Sequence, residues 1–181
     1  RANPPELKLR IVKSDGLEAA QDEEGEVRVQ GPQLFQGYLD PALNQKAFDE
    51  KGYFCTGDLG RLDVDGFLTI TGRLKDVIVR KGENISAKEV EDLLHTHSRI
   101  SEAAVIGLPD PSTGERACAV IVMNPGADAL TLSDIVDFLR ERHLIAQKLP
   151  EQLECIDQLP RNATGKVLKQ DLRKLFMSDE K

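Results

Sequence analysis

The apolar pattern of the chain changes character near Lys75, and that change limits what it can fold into. Before it, residues 7–12 (LKLRIV) and 26–30 (EVRVQ) alternate apolar and polar side chains, the period of a strand with one face buried. Asp65-Gly66 separates LGRLD from FLTIT and reads as a tight hairpin turn, because glycine tolerates positive φ. Asp40 before Pro41 marks a short helix, with Asp as N-cap and Pro at the first helical position. These signals are antiparallel, so residues 1–74 are expected to form a small β-rich unit.

After Lys75, strands and helices alternate. Residues 77–80 read as a strand, and Ser86-Ala87-Lys88-Glu89 as a capping box whose helix carries Val90, Leu93 and Leu94 on one face. Residues 103–108 and 117–123 are runs rich in Val and Ile separated by a Pro/Asp/Ser/Gly turn, which suits two antiparallel strands. Thr131 starts another helix with Leu132, Ile135, Val136 and Leu139 inward, and a last helix is expected at about 168–176. The expectation is an α+β chain. Its second part, residues 75–181, is a compact domain with a mixed sheet flanked by helices, large enough to fold independently.

Composition excludes several classes. An apolar content of 40% can fill one or two small cores. A net charge of −7 argues against a nucleic-acid binder, which needs clustered Lys and Arg to neutralise phosphates. No apolar run reaches membrane-spanning length. Cys55, Cys118 and Cys155 lack CxxC spacing and read as reduced, small apolar residues of a cytoplasmic protein. His95 and His97, two apart near a helix end, fall on different faces, and with His143 they make no metal site. The sequons at Asn84 and Asn162 read as chance without a secretory context.

Three stretches hold the residues suited to chemistry: 52–58 (GYFCTGD), 72–91 (GRLKDVIVRKGENISAKEVE) and 160–166 (PRNATGK). Asp58 presents two acceptor oxygens that suit a pair of vicinal hydroxyls, though an Asp after Gly57 also caps turns. Arg73 offers fixed donors for ribose or phosphate oxygens. Lys75 by itself reads as a solvated strand-end lysine. Residues 80–84 (RKGEN) form a Gly-bearing loop ahead of a capped helix, where Gly82 lets backbone approach a ligand and Arg80 and Lys81 add positive charge. Lys166 follows Thr164-Gly165 on a loop expected to be mobile. This is not a Walker A loop: Pro160 stands at the first Gly position and Val167 follows the Lys.

In order and spacing these stretches resemble the C-terminal third of the adenylate-forming superfamily of acyl-CoA synthetases, luciferases and peptide-synthetase adenylation domains. The resemblance implies roles. The Asp matching Asp58 holds the ribose hydroxyls of ATP, and the Arg matching Arg73 reaches ribose or phosphate. The position of Lys75 is the hinge about which the C-terminal domain swings between two poses. Lys166 matches the Lys that bridges substrate carboxylate and nucleotide during adenylation, and Gly82 the glycine lining the tunnel for the CoA thiol. Two departures concern CoA: some relatives carry Arg at the position of Asn84, and luciferases carry Lys at that of Val79.

The implied function is an AMP-forming acid–thiol ligase, an acyl-CoA synthetase using ATP, CoA and the Mg2+ that accompanies ATP on a small carboxylic acid. The wording of residues 80–86 and 108–116 looks most like short- and medium-chain or aryl members. A carrier-protein-loading adenylating enzyme and a non-catalytic interaction module are the rivals. The resemblance also implies a protein acetyltransferase as a partner acting on Lys166. The family's phosphate loop, adenine pocket and acyl tunnel lie upstream of the stretch matching residues 1–58. Residues 1–74 are therefore read as the end of a large AMP-binding domain, and the chain alone is expected not to form an acyl-adenylate.

Overall fold

The alternating stretches at the start of the chain become β1 (Lys8–Val12) and β2 (Gly25–Gln30) of an antiparallel sheet. It is completed by β3 (Phe54–Leu62) and β4 (Leu68–Arg73) in the order β1-β2-β3-β4. The computed structural model describes residues 7–177, and the chain divides between Lys75 and Asp76 into two units. The first unit has a small core of Ile11, Val12, Val27 and Leu59. An aromatic cluster of Phe35, Phe48 and Phe54 adds to it, with ring centroids 5.3 to 5.7 Å apart. Between β2 and β3 runs α1 (Pro41–Ala47), where the Asp40 carboxylate accepts the Ala42 N–H at 2.9 Å.

The β3–β4 turn is wider than a two-residue hairpin. The Asp63 carboxylate accepts the N–H groups of Asp65 and Phe67 at 3.0 and 2.8 Å, while Asp63 N–H donates to the Phe67 carbonyl. That closes a loop over residues 64–66, with Gly66 left-handed at φ +78°.

In the second unit, β5 (Val77–Arg80) and β6 (Glu83–Ser86) form a hairpin that leads into α2 (Ala87–Leu94). The long pair β7 (Ile100–Asp110) and β8 (Gly114–Met123) follows, then α3 (Leu132–Glu141), β9 (Gln152–Cys155) and α4 (Lys169–Met177). The sheet order is β6-β5-β8-β7, with β9 parallel to β8 through Cys118–Gln152 to Ile121–Cys155. The β5–β6 hairpin corrects the sequence reading of residues 80–84 as a loop, and β9 was not anticipated.

The unbroken apolar runs of β7 and β8 reflect a sheet covered on both faces. Val105, Ala117, Ala119 and Ile121 pack with Val90, Leu94, Ile135 and Leu139 from α2 and α3. Their alternating neighbours Ala104, Ile106, Leu108, Cys118 and Val120 pack with Leu172 and Phe176 from α4. Caps start both inner helices: Ser86 Oγ accepts the Glu89 N–H at 3.4 Å, and Thr131 with Asp134 forms a complete capping box.

Candidate active site

Asp58 lies inside β3 and does not cap a turn after Gly57. Between the register pairs Glu26–Leu59 and Arg28–Cys55, β3 places Thr56, Gly57 and Asp58 where β2 has only Val27. Such a bulge re-aims a side chain out of the regular pleat. Its shape is held from below. Thr56 Oγ1 donates to the Val27 carbonyl at 2.7 Å and accepts the Asp58 N–H at 3.1 Å. Gly57, at φ +70°, donates its N–H to Glu26 Oε1 at 3.2 Å.

Glu26 is a buried carboxylate, and its other oxygen accepts from Arg28 Nε at 2.8 Å; Arg28 Nη1 in turn reaches Asp49 at 3.2 Å. Burial alone would lower the Arg28 pKa, but the hydrogen bonds to Glu26 and Asp49 outweigh it and raise it. On the bulge itself, Asp58 stands opposite Arg73 of β4, and Arg73 Nε donates to Asp58 Oδ1 at 2.8 Å. The pair keeps side-chain exposures of 28% for Asp58 and 44% for Arg73, enough for solvent or a ligand to reach both. A carboxylate held at one oxygen and open at its face can accept from vicinal hydroxyls, and the guanidinium supplies further donors beside it.

Lys75 sits in a single 3-10 turn, Leu74–Asp76, at the boundary between the two units, and is exposed. Gly82 occupies the two-residue turn of the β5–β6 hairpin. Lys81 and Gly82 both have positive φ, +51° and +82°, as such turns require, and a Cβ added at Gly82 would meet nothing within 4 Å. The Arg80 guanidinium is paired within the second unit. Its Nη1 donates to the Gln147 carbonyl at 3.0 Å and its Nη2 to Glu151 at 2.6 Å, partners about seventy residues away. Val79 and Asn84 are cross-strand neighbours on this hairpin.

Lys166 is exposed on a loop that is internally braced. Asn162 N–H donates to the Lys166 carbonyl at 3.0 Å, Gly165 N–H to the Asn162 carbonyl at 2.9 Å, and Arg161 pairs with Val167 in an antiparallel bridge. Three residues on, Lys169 is engaged: its ammonium lies 2.7 Å from Glu91 and 3.9 Å from Asp76. Sequence reasoning named Lys166 and passed over Asn162, Glu26 and Glu91; a carboxylate in an apolar strand pattern was the one available signal for Glu26.

His95 and His97 have structural surroundings. His95 Nε2 accepts the Ala103 N–H at 3.4 Å, and the His97 ring packs on Phe138 at 4.4 Å. Burial, then Arg99 and Arg142, lowers the His97 pKa. Among the described residues no group of three or more His, Cys, Asp or Glu could hold a metal, and no helix is long and apolar enough to cross a membrane.

The first unit thus carries an acid–guanidinium pair on a bulged strand, and the second unit carries a lysine on a braced loop and a mixed sheet between helices. Residues 89–166 match the AMP-binding enzyme C-terminal domain. The chain is 44% identical over 155 residues to the medium-chain fatty-acid–CoA ligase of Escherichia coli, covering 85% of this chain and 27% of that protein. It is 42% identical over 164 residues to the salicyl-AMP ligase / salicyl-S-ArCP synthetase of Mycobacterium tuberculosis, covering 90% and 29%. The crystal structure of ATP-bound MatB from Rhodopseudomonas palustris superposes with a TM-score of 0.89 at 34% identity, covering 98% of this chain and 35% of that one. The chain belongs to the adenylate-forming superfamily and corresponds to the C-terminal portion of its AMP-forming ligases. It spans about a third or less of the length of these relatives.

Proposed function

We propose that the chain is the C-terminal part of an acyl-CoA synthetase. A carboxylate oxygen of the acid attacks the α-phosphate of ATP, the bond to the β-phosphate breaks and pyrophosphate leaves; the CoA thiol then attacks the acyl carbonyl and AMP leaves. The observation that carries this reading is the Asp58–Arg73 pair on the β3 bulge, within a chain 44% identical to a fatty-acid–CoA ligase. In it, Asp58 accepts from the ribose hydroxyls and Arg73 donates to ribose or phosphate oxygens. Lys166 neutralises the two anions that adenylation brings together, an electrostatic contribution made where charge builds up. Lys75 is the hinge of the swing between half-reactions, and the Gly82 turn belongs to the thioester-forming pose. Mg2+ travels with ATP.

Lys166 is also open to a protein acetyltransferase, and acetylation would remove its charge. A second reading has a specific basis: the 42% identity to a salicyl-S-ArCP synthetase allows a carrier protein in place of CoA as acceptor. One experiment separates the two. The intact polypeptide is assayed for pyrophosphate release across a panel of short, medium-chain and aryl carboxylates, then for thioester formation with CoA or with a phosphopantetheinylated carrier protein. Acyl-CoA formation is expected; thioester on the carrier alone selects the second reading, and no pyrophosphate with any acid defeats both.

A further inference from the structure

We propose that Asn162 is a positioning residue for Lys166, a role that rests on the reading of Lys166 given above. Its carboxamide oxygen accepts three hydrogen bonds, from Thr164 N–H at 3.1 Å, Thr164 Oγ1 at 2.8 Å and Lys166 N–H at 2.9 Å. One acceptor atom thus sets both the turn of the loop and the backbone direction from which the lysine side chain departs. The left-handed Gly165, at φ +83°, completes the turn. Arg161 anchors it, with Nη1 donating to the Gly165 carbonyl at 2.5 Å and Nη2 paired with Glu102 of β7.

The two lysines of this region then differ by design of the fold. Lys169 is tied to Glu91, whereas among the described residues of the second unit no carboxylate pairs with the Lys166 ammonium. A lysine side chain has long reach and many rotamers, so its effective concentration at a reacting phosphate depends on where its Cα is held. Exposed ion pairs such as Arg161–Glu102 contribute little by themselves. The backbone pairing of Asn162 N–H with the Lys166 carbonyl holds one side of that residue, and the threefold acceptor holds its N–H.

The test uses the intact polypeptide with the acid that the unaltered protein adenylates best, and three variants. Asn162→Leu removes the acceptor, Asn162→Asp keeps it, and Lys166→Ala removes the ammonium. Acyl-adenylate formation and thioester formation from supplied acyl-adenylate are measured separately. An ångström of misplacement can lower a rate by about a hundredfold, so Asn162→Leu is expected to slow adenylation by about ten- to a hundredfold while thioester formation stays within about twofold. Asn162→Asp should recover adenylation to within about threefold of the unaltered protein. The intact thioester step reports that the variants are folded.

Equal losses in both half-reactions for Asn162→Leu, or an Asp variant no better than Leu, would overturn the proposal. If Lys166→Ala abolishes adenylation and Asn162→Leu leaves it unchanged, the role of Asn162 falls while that of Lys166 stands. If Lys166→Ala adenylates normally, the reading of Lys166 fails and the proposal fails with it.

Discussion

Replacing Glu91 tests how the second unit protects the open edge of its sheet. β7 ends the strand order, so its outward N–H groups lack a strand partner, and α2 meets them with side chains. Glu91 Oε1 accepts the Val105 N–H at 2.6 Å, and one helical turn later His95 accepts the Ala103 N–H. The same Glu91 oxygen lies 2.7 Å from the Lys169 ammonium, and both side chains are only 15% exposed. Glu91→Leu leaves a buried N–H unsatisfied, at about 1–3 kcal/mol, and strands a largely buried ammonium that among the described residues retains the more distant Asp76.

We expect about 3 kcal/mol in total, a fall of about 2 M in the urea midpoint for a transition with a slope of about 1.5 kcal/mol per M. Glu91→Gln keeps an acceptor for Val105 and loses the charge, so it should cost about half as much. Adding Lys169→Met to Glu91→Leu should recover stability by removing the stranded charge. Equilibrium urea unfolding followed by circular dichroism gives all three values. A Gln variant as unstable as the Leu variant, or no recovery in the double variant, would refute the idea that one oxygen serves both edge and ammonium.

Asp110 accepts from the N–H and hydroxyl of both Ser112 and Thr113, and these bonds, led by the Ser112 hydroxyl, hold its pKa well below the usual carboxylate range. Its stabilising contribution is therefore complete above about pH 4 and is lost as pH falls through the folded value. Asp110→Asn should lower the urea midpoint at pH 7 and converge on the unaltered chain at acid pH; a gap that widens on acidification would contradict this. The thiols should react in the order Cys155, Cys55, Cys118. Cys155 is exposed and Cys55 half-buried, whereas burial pushes the Cys118 thiol up to about 12. Labelling of Cys118 by a disulfide reagent before unfolding would be the contrary result. Lys75→Pro fixes φ at the unit boundary and should impair one half-reaction of the intact polypeptide far more than the other; equal rates would remove the hinge.

Much of this chain is written locally. The Asp40-Pro41 helix start, the Thr131 helix start and the strands β1 and β2 each depend on neighbours within a few residues, and each appears where the pattern places it, while the turn at Gly66 has the glycine in place but is one residue wider than read. The unbroken apolar runs of β7 and β8 announce strands without saying that both faces are covered. The motif residues Asp58, Arg73, Gly82 and Lys166 were visible because a resemblance carries them, not because their environment could be read.

Only the folded chain decides which partner each polar side chain finds. β9 joins β8 from some thirty residues away, Arg80 turns to Gln147 and Glu151, and Glu26 lies beneath the bulge that carries Asp58. Asn162, by contrast, works entirely within its own loop, yet nothing in the bare letters distinguishes its threefold acceptor from an ordinary surface amide. Backbone conformation follows from short-range sterics and hydrogen bonding, so sequence determines it directly. The pairing of a charge or an amide depends on burial and geometry, which exist only once distant segments have packed.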